Sequence, residues 1–311
     1  MKVLVGGRID SAGPQMLREA GYDVVLVDDV TTASLLAHLP KVDAVLLRTQ
    51  PFRAAEVAMA PKLKIVSRHG VGYDAVDVAA LNARHIPLAV VGDVNSRAVA
   101  EHTLALMLAT ARRVVAHDTA SRNGNWNERN KFDALELDGK HLLVIGYGRI
   151  GRRVGELARA FGMRVSAYDP YVKDLAEMQT DLHKALAEAD VVSLHMPAAK
   201  GAVIGAKELT LMRPSAIIIN AARGGLVEEA ALDAALRARK IYAAGLDVLV
   251  DEPPKPDHPL LSNPHITISP HNAGLTKECA RRMSIAAAQN IIDCFAGKLD
   301  SRLVVNAGEI E

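Results

Sequence analysis

Residues 144–151 read Val-Ile-Gly-Tyr-Gly-Arg-Ile-Gly and follow the apolar residues Leu142 and Leu143. The apolar run suits a buried parallel strand. The three glycines suit a tight turn, a close backbone approach to a ligand and close packing of the following helix. A second strand pattern over 164–168 then leads to Asp169. A strand, this glycine turn, a helix and an acid at the next strand end together predict a dinucleotide site, with the pyrophosphate at the helix N-terminus.

The bulk properties describe a globular chain with balanced charge. It has 311 residues, 50% of them hydrophobic, and a formal net charge of +1. That length predicts two domains. The sequence has no dense basic run, which argues against nucleic acid as a partner. Cys279 and Cys294 are too far apart for a CxxC motif, so we expect neither a disulfide framework nor a metal site.

The sequence gives no sign of a targeting or membrane segment. The apolar stretch after Met1 is too short for a signal peptide. No apolar stretch approaches the roughly 20 residues that span a bilayer. We therefore expect a cytoplasmic protein without a membrane partner.

Strand and helix patterns alternate along the chain in two series. The first series has strand patterns over 2–5, 23–27, 44–47 and 63–67, and helix patterns over 13–20 and 33–38. The second series has strand patterns from 142 onward and over 164–168, 190–194, 216–220 and 243–248. Repeated βα units with short connections predict parallel sheets with helices on both faces.

Two long helix patterns, over 96–117 and 276–296, connect these series. The sequence therefore predicts an α/β fold of two doubly wound parallel-sheet domains. We expect a Rossmann dinucleotide-binding domain over 98–284, and a discontinuous flavodoxin-like substrate domain formed by 1–97 and 285–311. Residues 303–306 are expected to add a final edge segment.

Polar residues follow three of the later strands. Arg223 comes after the strand that ends at Asn220, Glu252 lies before two prolines, and His271 comes after the strand that ends at Ile268. Ligands of open α/β sheets bind at the carboxyl ends of the strands, so we expect these side chains to lie near the cofactor. Each also has an ordinary structural explanation, as a surface ion-pair partner, a solvated loop acid or a hydrogen-bonded core histidine.

Six segments together resemble a known family. They are Gly70-Val71-Gly72-Tyr73-Asp74, Val99-Ala100-Glu101-His102-Thr103, Gly146-Tyr147-Gly148-Arg149-Ile150-Gly151, Ala222-Arg223-Gly224, Leu246-Asp247-Val248 with Glu252-Pro253, and Ser269-Pro270-His271. In this order they resemble the D-isomer-specific 2-hydroxyacid dehydrogenases, the family of phosphoglycerate dehydrogenase, glyoxylate/hydroxypyruvate reductase and D-lactate dehydrogenase. The segments span nearly the whole chain, which makes the resemblance more specific than any one motif.

The resemblance implies a division of catalytic roles. Arg223 would bind the substrate carboxylate and polarise the ketone, His271 would exchange the proton, and Glu252 would hydrogen-bond His271. The roles are physically sensible, because hydride transfer to C2 leaves negative charge on oxygen that a cation stabilises while an acid supplies the proton. Backbone N–H groups of Val71 and Gly72 would take the other carboxylate contacts, and domain closure would exclude water.

The resemblance also assigns the cofactor contacts. They are Gly146, Gly148, Arg149, Ile150, Gly151, Asp169, Met196, Ala221, Ala222, Asp247 and Gly274. Asp247 would hold the nicotinamide carboxamide. Asp169 predicts NAD rather than NADP, because a carboxylate accepts ribose hydroxyl protons but repels a 2′-phosphate. His195 is expected to shape the cofactor loop, and His69 and His102 to be structural.

The chain departs from the family pattern at three places. The loop over 196–202 lacks the threonines that many members carry, which affects the assignment of Met196. The chain ends soon after Asn306, so we expect no C-terminal regulatory domain. Arg48 and Arg68 either bind a second anion of the substrate or form surface pairs. The substrate therefore stays open among glyoxylate, hydroxypyruvate, pyruvate and the 3-phosphoglycerate class.

The function expected is that of an NAD-dependent D-2-hydroxyacid dehydrogenase. One alternative is a non-enzymatic NADH-sensing or corepressor-like protein on the same fold, which can retain the same three polar residues. Another is an amino-acid dehydrogenase, which would want a lysine as acid or base. No lysine lies among the strand-end motifs.

A homodimer is expected from the helix over 99–115. Leu104, Leu106, Met107, Leu108 and the nearby Trp126 offer more apolar surface than one helix face needs. The alternative is that a domain interface buries all of it.

Overall fold

In the computed structural model, the described residues are 1–28, 32–172, 175 and 178–310. They divide into two compact units. Unit 1 comprises residues 1–95 and 275–311, and unit 2 comprises Ser96–Gly274. The sequence-based boundaries were 97/98 and 284/285, so the second boundary lies earlier than expected. The segment after 275 belongs to unit 1 because its first turn packs there, with Cys279 Sγ 3.7 Å from the Val94 carbonyl oxygen.

The strands and helices are numbered here in chain order. The strands are β1 Lys2–Gly6, β2 Asp23–Val27, β3 Ala44–Leu47, β4 Ile65–Arg68, β5 Leu88–Ala89, β6 His141–Ile145, β7 Arg164–Tyr168, β8 Val191–Leu194, β9 Ile217–Asn220, β10 Ala243–Leu246 and β11 Ile266–Ile268. The helices are α1 Ala12–Glu19, α2 Thr32–Leu36, α3 Ala54–Met59, α4 Val78–Asn82, α5 Ser96–Ala111, α6 Val114–Arg122, α7 Arg149–Ala160, α8 Leu182–Glu188, α9 Ala206–Leu211, α10 Glu229–Arg237, α11 Lys277–Phe295 and α12 Ala307–Ile310.

Unit 1 is built on a parallel sheet with the strand order β2-β1-β3-β4-β5 in the part of the chain that the structure describes. The order matches a flavodoxin-like sheet. Strand β3 is buried along its whole length, as expected for a strand covered on both faces. Helix α11 packs closely on α1: a Cβ added at Gly13 would lie 2.4 Å from the Ser284 carbonyl oxygen. The two separated segments of unit 1 therefore share one core.

Unit 2 is built on a second parallel sheet, ordered β11-β10-β9-β8-β6-β7 over its described residues. Strands β6, β8, β9 and β10 are buried throughout. The strand order reverses between β6 and β8, and ligands of open α/β sheets bind at the carboxyl ends of the strands at such a reversal. The two-domain α/β fold expected from the sequence is confirmed.

The helix pattern over 96–117 forms two helices. Helix α5 ends at Ala111, and Arg113 has a φ of 51°, in the left-handed region, before α6 begins. Three of the five residues predicted at an interface lie in the core of unit 2: Leu104 is 5%, Leu106 4% and Met107 0% exposed. Leu108 is half-buried and Trp126 is 68% exposed, so unit 2 covers only part of the predicted apolar surface, and the homodimer stays a prediction.

Residues 303–306 pair with the sheet of unit 1 without forming a strand. Ser301–Leu303 is a 3-10 helix, and Val304 makes an isolated antiparallel bridge to Ala89 of β5. Among the described residues, no helix is both long enough and apolar enough to cross a membrane. Within the same ranges, no three His, Cys, Asp or Glu side chains gather in a group that would hold a metal ion.

Candidate active site

The glycine turn after β6 lies at the reversal point of the sheet in unit 2. Gly146 has a φ of 90°, and a Cβ added there would lie 2.5 Å from the His195 carbonyl oxygen. A Cβ added at Gly151 would lie 2.1 Å from the Gly146 carbonyl oxygen. Both positions therefore require glycine for packing. Gly148 differs, because a Cβ there would meet nothing within 4 Å. Open space above an exposed helix N-cap is what an approaching pyrophosphate needs.

Asp169 follows β7 beside this turn. Its carboxylate accepts hydrogen bonds from the Tyr147 N–H and the Tyr171 N–H, each at 2.8 Å. These bonds fix the acid at the edge of the glycine turn, where the resemblance places a ribose. Arg149 is exposed at the first turn of α7, and Ile150 is half-buried against the core. This local arrangement fits a dinucleotide.

His195 and Met196 follow β8 on the other side of the reversal point. The His195 Nε2 lies 2.7 Å from Ser193 Oγ. Burial lowers the pKa of His195 to about 3, so its imidazole is neutral at pH 7. Met196 is half-buried, and its Cβ would be 3.0 Å from a Cβ at Gly146. The chain after β8 therefore forms the wall against which the glycine turn packs.

Arg223 lies in the loop after β9. The Asn220 Nδ2 donates to the Arg223 carbonyl oxygen at 2.8 Å, and the Asn220 Oδ1 accepts from the Ala222 N–H at 3.1 Å. One side-chain amide thus fixes the loop backbone. The Arg223 Nη1 donates to the Ala222 carbonyl oxygen at 2.7 Å, and the side chain is half-buried. Ala221, also half-buried, begins this loop.

His271 and Glu252 form a close pair at the same end of the sheet. The His271 Nδ1 donates to Glu252 Oε2 at 2.6 Å, and the two side chains are 51% and 36% exposed. Glu252 raises the pKa of His271 through this hydrogen bond; burial opposes the rise, and the negative charges of Glu252 and Asp247 add to it. The positive charge of Arg223 lowers the pKa of His271, so the guanidinium acts on the same site.

The loop that carries Glu252 is fixed on both sides. A Cβ added at Gly224 would lie 2.0 Å from the Leu249 carbonyl oxygen, so the loops after β9 and β10 touch through their backbones. Glu229 of α10 accepts from the Val250 N–H at 2.7 Å and lies 3.1 Å from His258 Nε2. The Leu249 N–H donates to Glu252 Oε1 at 3.0 Å. The carboxylate therefore has a fixed position without the substrate.

Asp247 is buried beneath the histidine turn. Its side chain is 1% exposed and accepts from the Ser269 hydroxyl at 2.6 Å and from the N–H groups of Asn272 and Ala273 at 3.0 Å each. Burial alone would raise the pKa of Asp247, but the hydrogen bonds from His102, Ser269 and the two N–H groups outweigh it and hold the pKa below its ordinary value. The acid is thus ionised and already bonded to protein donors. Gly274 ends unit 2 just after this turn.

The loop after β4 in unit 1 is fixed by an arginine. The Arg68 Nε donates to the Gly72 carbonyl oxygen at 2.9 Å, and its Nη1 donates to the carbonyl oxygens of Leu47 and Arg48. The Arg48 Nη1 donates to the Arg8 carbonyl oxygen at 2.7 Å. Val71 and Gly72 are half-buried. Both guanidinium groups therefore hold the backbone of the loop ends.

His69, in the same loop of unit 1, is buried. Burial and the charges of Arg48 and Arg68, opposed by a backbone hydrogen bond at Ala280, together lower its pKa to about 4. The imidazole is therefore neutral at pH 7 and is 6% exposed.

Unit 2 brings together the residues that were predicted at its strand ends. It adds two further residues, Ser269 and His102. The glycine turn, Arg223, Glu252 and His271 all lie at the carboxyl edge of one sheet. Ser269 and His102 were not singled out for the site, yet both are bonded into the turn of His271. The Ser-Pro-His sequence was a signal for Ser269. His102 belongs to the Val99–Thr103 segment of the resemblance and was expected to be structural; no local pattern places it beside Ser269, which is 167 positions away.

A family model describes the core of unit 2. The D-isomer specific 2-hydroxyacid dehydrogenase, NAD binding domain, matches residues 104–273, more than half of the chain. The chain belongs to the D-isomer specific 2-hydroxyacid dehydrogenase family. Unit 2 of this family member is therefore an NAD(P)-binding domain, in agreement with its glycine turn.

Relatives of this dehydrogenase family member match it over most or all of its length. A D-3-phosphoglycerate dehydrogenase from Archaeoglobus fulgidus is 39% identical over 100% of this chain, which spans only 60% of that protein's length. A glyoxylate reductase from Aeropyrum pernix is 38% identical over 91% of this chain and 90% of its own. The crystal structure of an NADPH-dependent glyoxylate/hydroxypyruvate reductase from Sinorhizobium meliloti has a TM-score of 0.88 at 28% identity and covers 98% of both chains.

Proposed function

We propose that this protein is an NAD-dependent D-2-hydroxyacid dehydrogenase, an oxidoreductase that interconverts a small D-2-hydroxy acid and its 2-oxo acid. The observation that carries the proposal is the hydrogen bond of 2.6 Å between His271 Nδ1 and Glu252 Oε2, within electrostatic reach of Arg223. This arrangement places an acid–base group, His271, and a fixed cation, Arg223, in one site. Those are the two groups that reduction of a ketone requires from the protein.

The chain's residues divide the work as follows. When bound, NAD(H) supplies or accepts the hydride. Arg223 binds the substrate carboxylate and stabilises negative charge on the oxygen at C2. The His271 imidazolium gives its Nε2 proton to that oxygen in reduction, and the neutral ring takes the proton back in oxidation. Glu252 holds Nδ1 protonated and so keeps Nε2 as the nitrogen that exchanges the proton. The resemblance assigns the remaining carboxylate contacts to the N–H groups of Val71 and Gly72.

We further infer NAD rather than NADP as the cofactor, with the adenosine ribose at Asp169. Its carboxylate is fixed by two backbone N–H groups, so it cannot easily move away from an incoming 2′-phosphate. Asp169→Ala removes this repulsion. We expect the preference for NAD over NADP in kcat/KM to fall by at least about tenfold, the equivalent of roughly 1.4 kcal/mol. An unchanged preference would overturn the assignment.

A substrate panel tests the activity itself. Glyoxylate, hydroxypyruvate, pyruvate and 3-phosphohydroxypyruvate are each supplied with NADH, and consumption of NADH is followed. We expect steady turnover of at least one of them. Binding of NADH without turnover of any would instead favour the sensing or corepressor-like alternative. Arg48→Ala, compared on pyruvate and 3-phosphohydroxypyruvate, shows whether Arg48 contributes to a second anion site.

We also infer a homodimer through unit 2. The support is a set of exposed apolar side chains on α6, on the 3-10 helix Trp126–Lys131 and directly after it: Val114 at 52%, Val115 at 54%, Trp126 at 68% and Phe132 at 88% exposed. Apolar patches of this kind mark contact surfaces. Sedimentation at micromolar concentration should give a dimer for the wild type and a monomer for Trp126→Glu. A wild-type monomer would count against the inference.

A further inference from the structure

A chain of hydrogen bonds leads from α5 to the turn that carries His271. The His102 Nε2 lies 2.9 Å from Ser269 Oγ, and the Ser269 hydroxyl donates to Asp247 Oδ1 at 2.6 Å. A hydroxyl has one proton, and an ionised carboxylate only accepts. Ser269 therefore gives its proton to Asp247 and accepts from His102, which must carry its own proton on Nε2. The direction of both bonds follows from the chemistry of the three groups.

Asp247 connects this chain to the backbone of the turn. Its carboxylate accepts from the N–H groups of Asn272 and Ala273, and its carbonyl oxygen accepts from the His271 N–H at 2.8 Å. The carboxylate is 1% exposed, so water does not replace a bond that it loses, and the loss costs free energy. His271 has a φ of 50°, in the left-handed region that a non-glycine residue adopts only when its surroundings hold it there.

We propose that His102 and Ser269 are positioning residues for the acid–base histidine: they orient the Asp247 carboxylate, which holds the turn in the shape that brings His271 onto Glu252. The inference rests on the proposed function, because it assigns both residues to the same reaction. They act through Asp247, and neither contacts the substrate.

The effect of removing the serine hydroxyl follows from the distances. The His102 Nε2 lies 3.4 Å from Asp247 Oδ1, so it is the nearest replacement donor when Ser269 has no hydroxyl. In Ser269→Ala the carboxylate turns toward His102, and its bonds to the N–H groups of Asn272 and Ala273 lengthen. The left-handed turn then relaxes, and the His271 ring moves off Glu252. His102→Phe has a related effect, since the Ser269 hydroxyl is then free to rotate away from Asp247.

The experiment compares Ser269→Ala, His102→Phe and Ser269→Thr with wild type. Ser166→Ala is the control, because the Ser166 hydroxyl likewise lies 2.8 Å from a histidine nitrogen, His141 Nε2, in the same unit, but is not bonded to Asp247. One readout is the NMR titration of the His271 ring in the full chain without ligands, with its resonance assigned from His271→Asn. The other is the pH dependence of kcat and KM for the best 2-oxo acid of the panel.

We expect the titration midpoint of His271 to move to lower pH in Ser269→Ala and His102→Phe. We expect kcat to fall about tenfold, as for one lost hydrogen bond to a charged group, with little change in KM. Ser269→Thr keeps the hydroxyl and should restore both values, and Ser166→Ala should match wild type. An unchanged His271 titration in both Ser269→Ala and His102→Phe would overturn the inference. Wild-type protein without turnover would overturn the proposed function, while the NMR titration would still decide the positioning role.

Discussion

Replacing Glu252 by glutamine tests the acid–base pair with a change of one atom. The variant keeps the size of the side chain and removes its charge. Glu252 is the first cause of the raised pKa of His271, so that pKa should fall in Glu252→Gln. A hydrogen bond to a charged group contributes about 1.5–3 kcal/mol. The side chains of His271 and Glu252 are 51% and 36% exposed, so solvent screening reduces this contribution to about 1.4 kcal/mol. That free energy corresponds to a change of about tenfold in the proton affinity of His271.

The pH dependence gives the sign of the effect. Reduction needs the imidazolium of His271, so kcat/KM for the 2-oxo acid falls as pH rises through the pKa of His271. In Glu252→Gln this fall should begin at lower pH. The wild type should then exceed the variant by about tenfold above both midpoints, and the two should converge below them. The assay is the initial rate of NADH consumption across the pH range, read from NADH absorbance.

Glu208→Gln is the control for this experiment. Glu208 Oε1 lies 3.1 Å from His183 Nε2, a similar pair in unit 2 between α8 and α9. Its removal changes stability and should leave the pH profile as in wild type. The reasoning is refuted if Glu252→Gln and Glu208→Gln share the wild-type pH profile, because Glu252 then does not set the proton affinity of the catalytic group.

Three further predictions concern the cation, the glycine turn and stability. Arg223→Gln should lower kcat/KM about 10²–10³-fold while NADH affinity, measured by fluorescence, stays near the wild-type value. Gly148→Ala should keep the wild-type Tm, because the added methyl group meets only open space. The variant should weaken NADH binding, because that space is where the pyrophosphate approaches. Gly151→Ala should lower Tm by several degrees. The ion pair of Glu252 and His271 should contribute most to the free energy of unfolding at pH values between 4.5 and 6.5, the ordinary pKa values of the two groups. The contribution of His271 is lost as pH rises through its raised pKa, and that of Glu252 is lost as pH falls through its lowered pKa, both measurable by urea unfolding of wild type and Glu252→Gln.

Local sequence patterns indicated most of the strands that form the two sheets, although β5 was not predicted. The strands β2, β3 and β7 have the limits that the apolar pattern predicts. These strands are short, buried or bounded by turn residues, so the period and the boundaries of the pattern carry the information. Parallel strands also present their carboxyl ends at one edge, which is why Arg223 and His271 were expected to meet.

Two features depended on contacts that no local pattern encodes. The break between α5 and α6 occurs at Arg113, a residue type that does not signal a left-handed turn. The burial of Leu104, Leu106 and Met107 in the core of unit 2 is the second, because periodicity shows that a helix face is apolar but not which partner covers it. The hydrogen bonds of Asp247 likewise come from distant parts of the chain, the loop after β11 and, through Ser269, helix α5. Only the tertiary structure brings His102 to Ser269.

The most direct test of the account compares wild type with His271→Asn in two assays on the same preparation, NADH binding and NADH consumption with the best 2-oxo acid. We expect equal NADH affinity and a loss of turnover of at least about 10²-fold, the usual contribution of a positioned acid–base group. Turnover by His271→Asn at the wild-type rate would contradict the account.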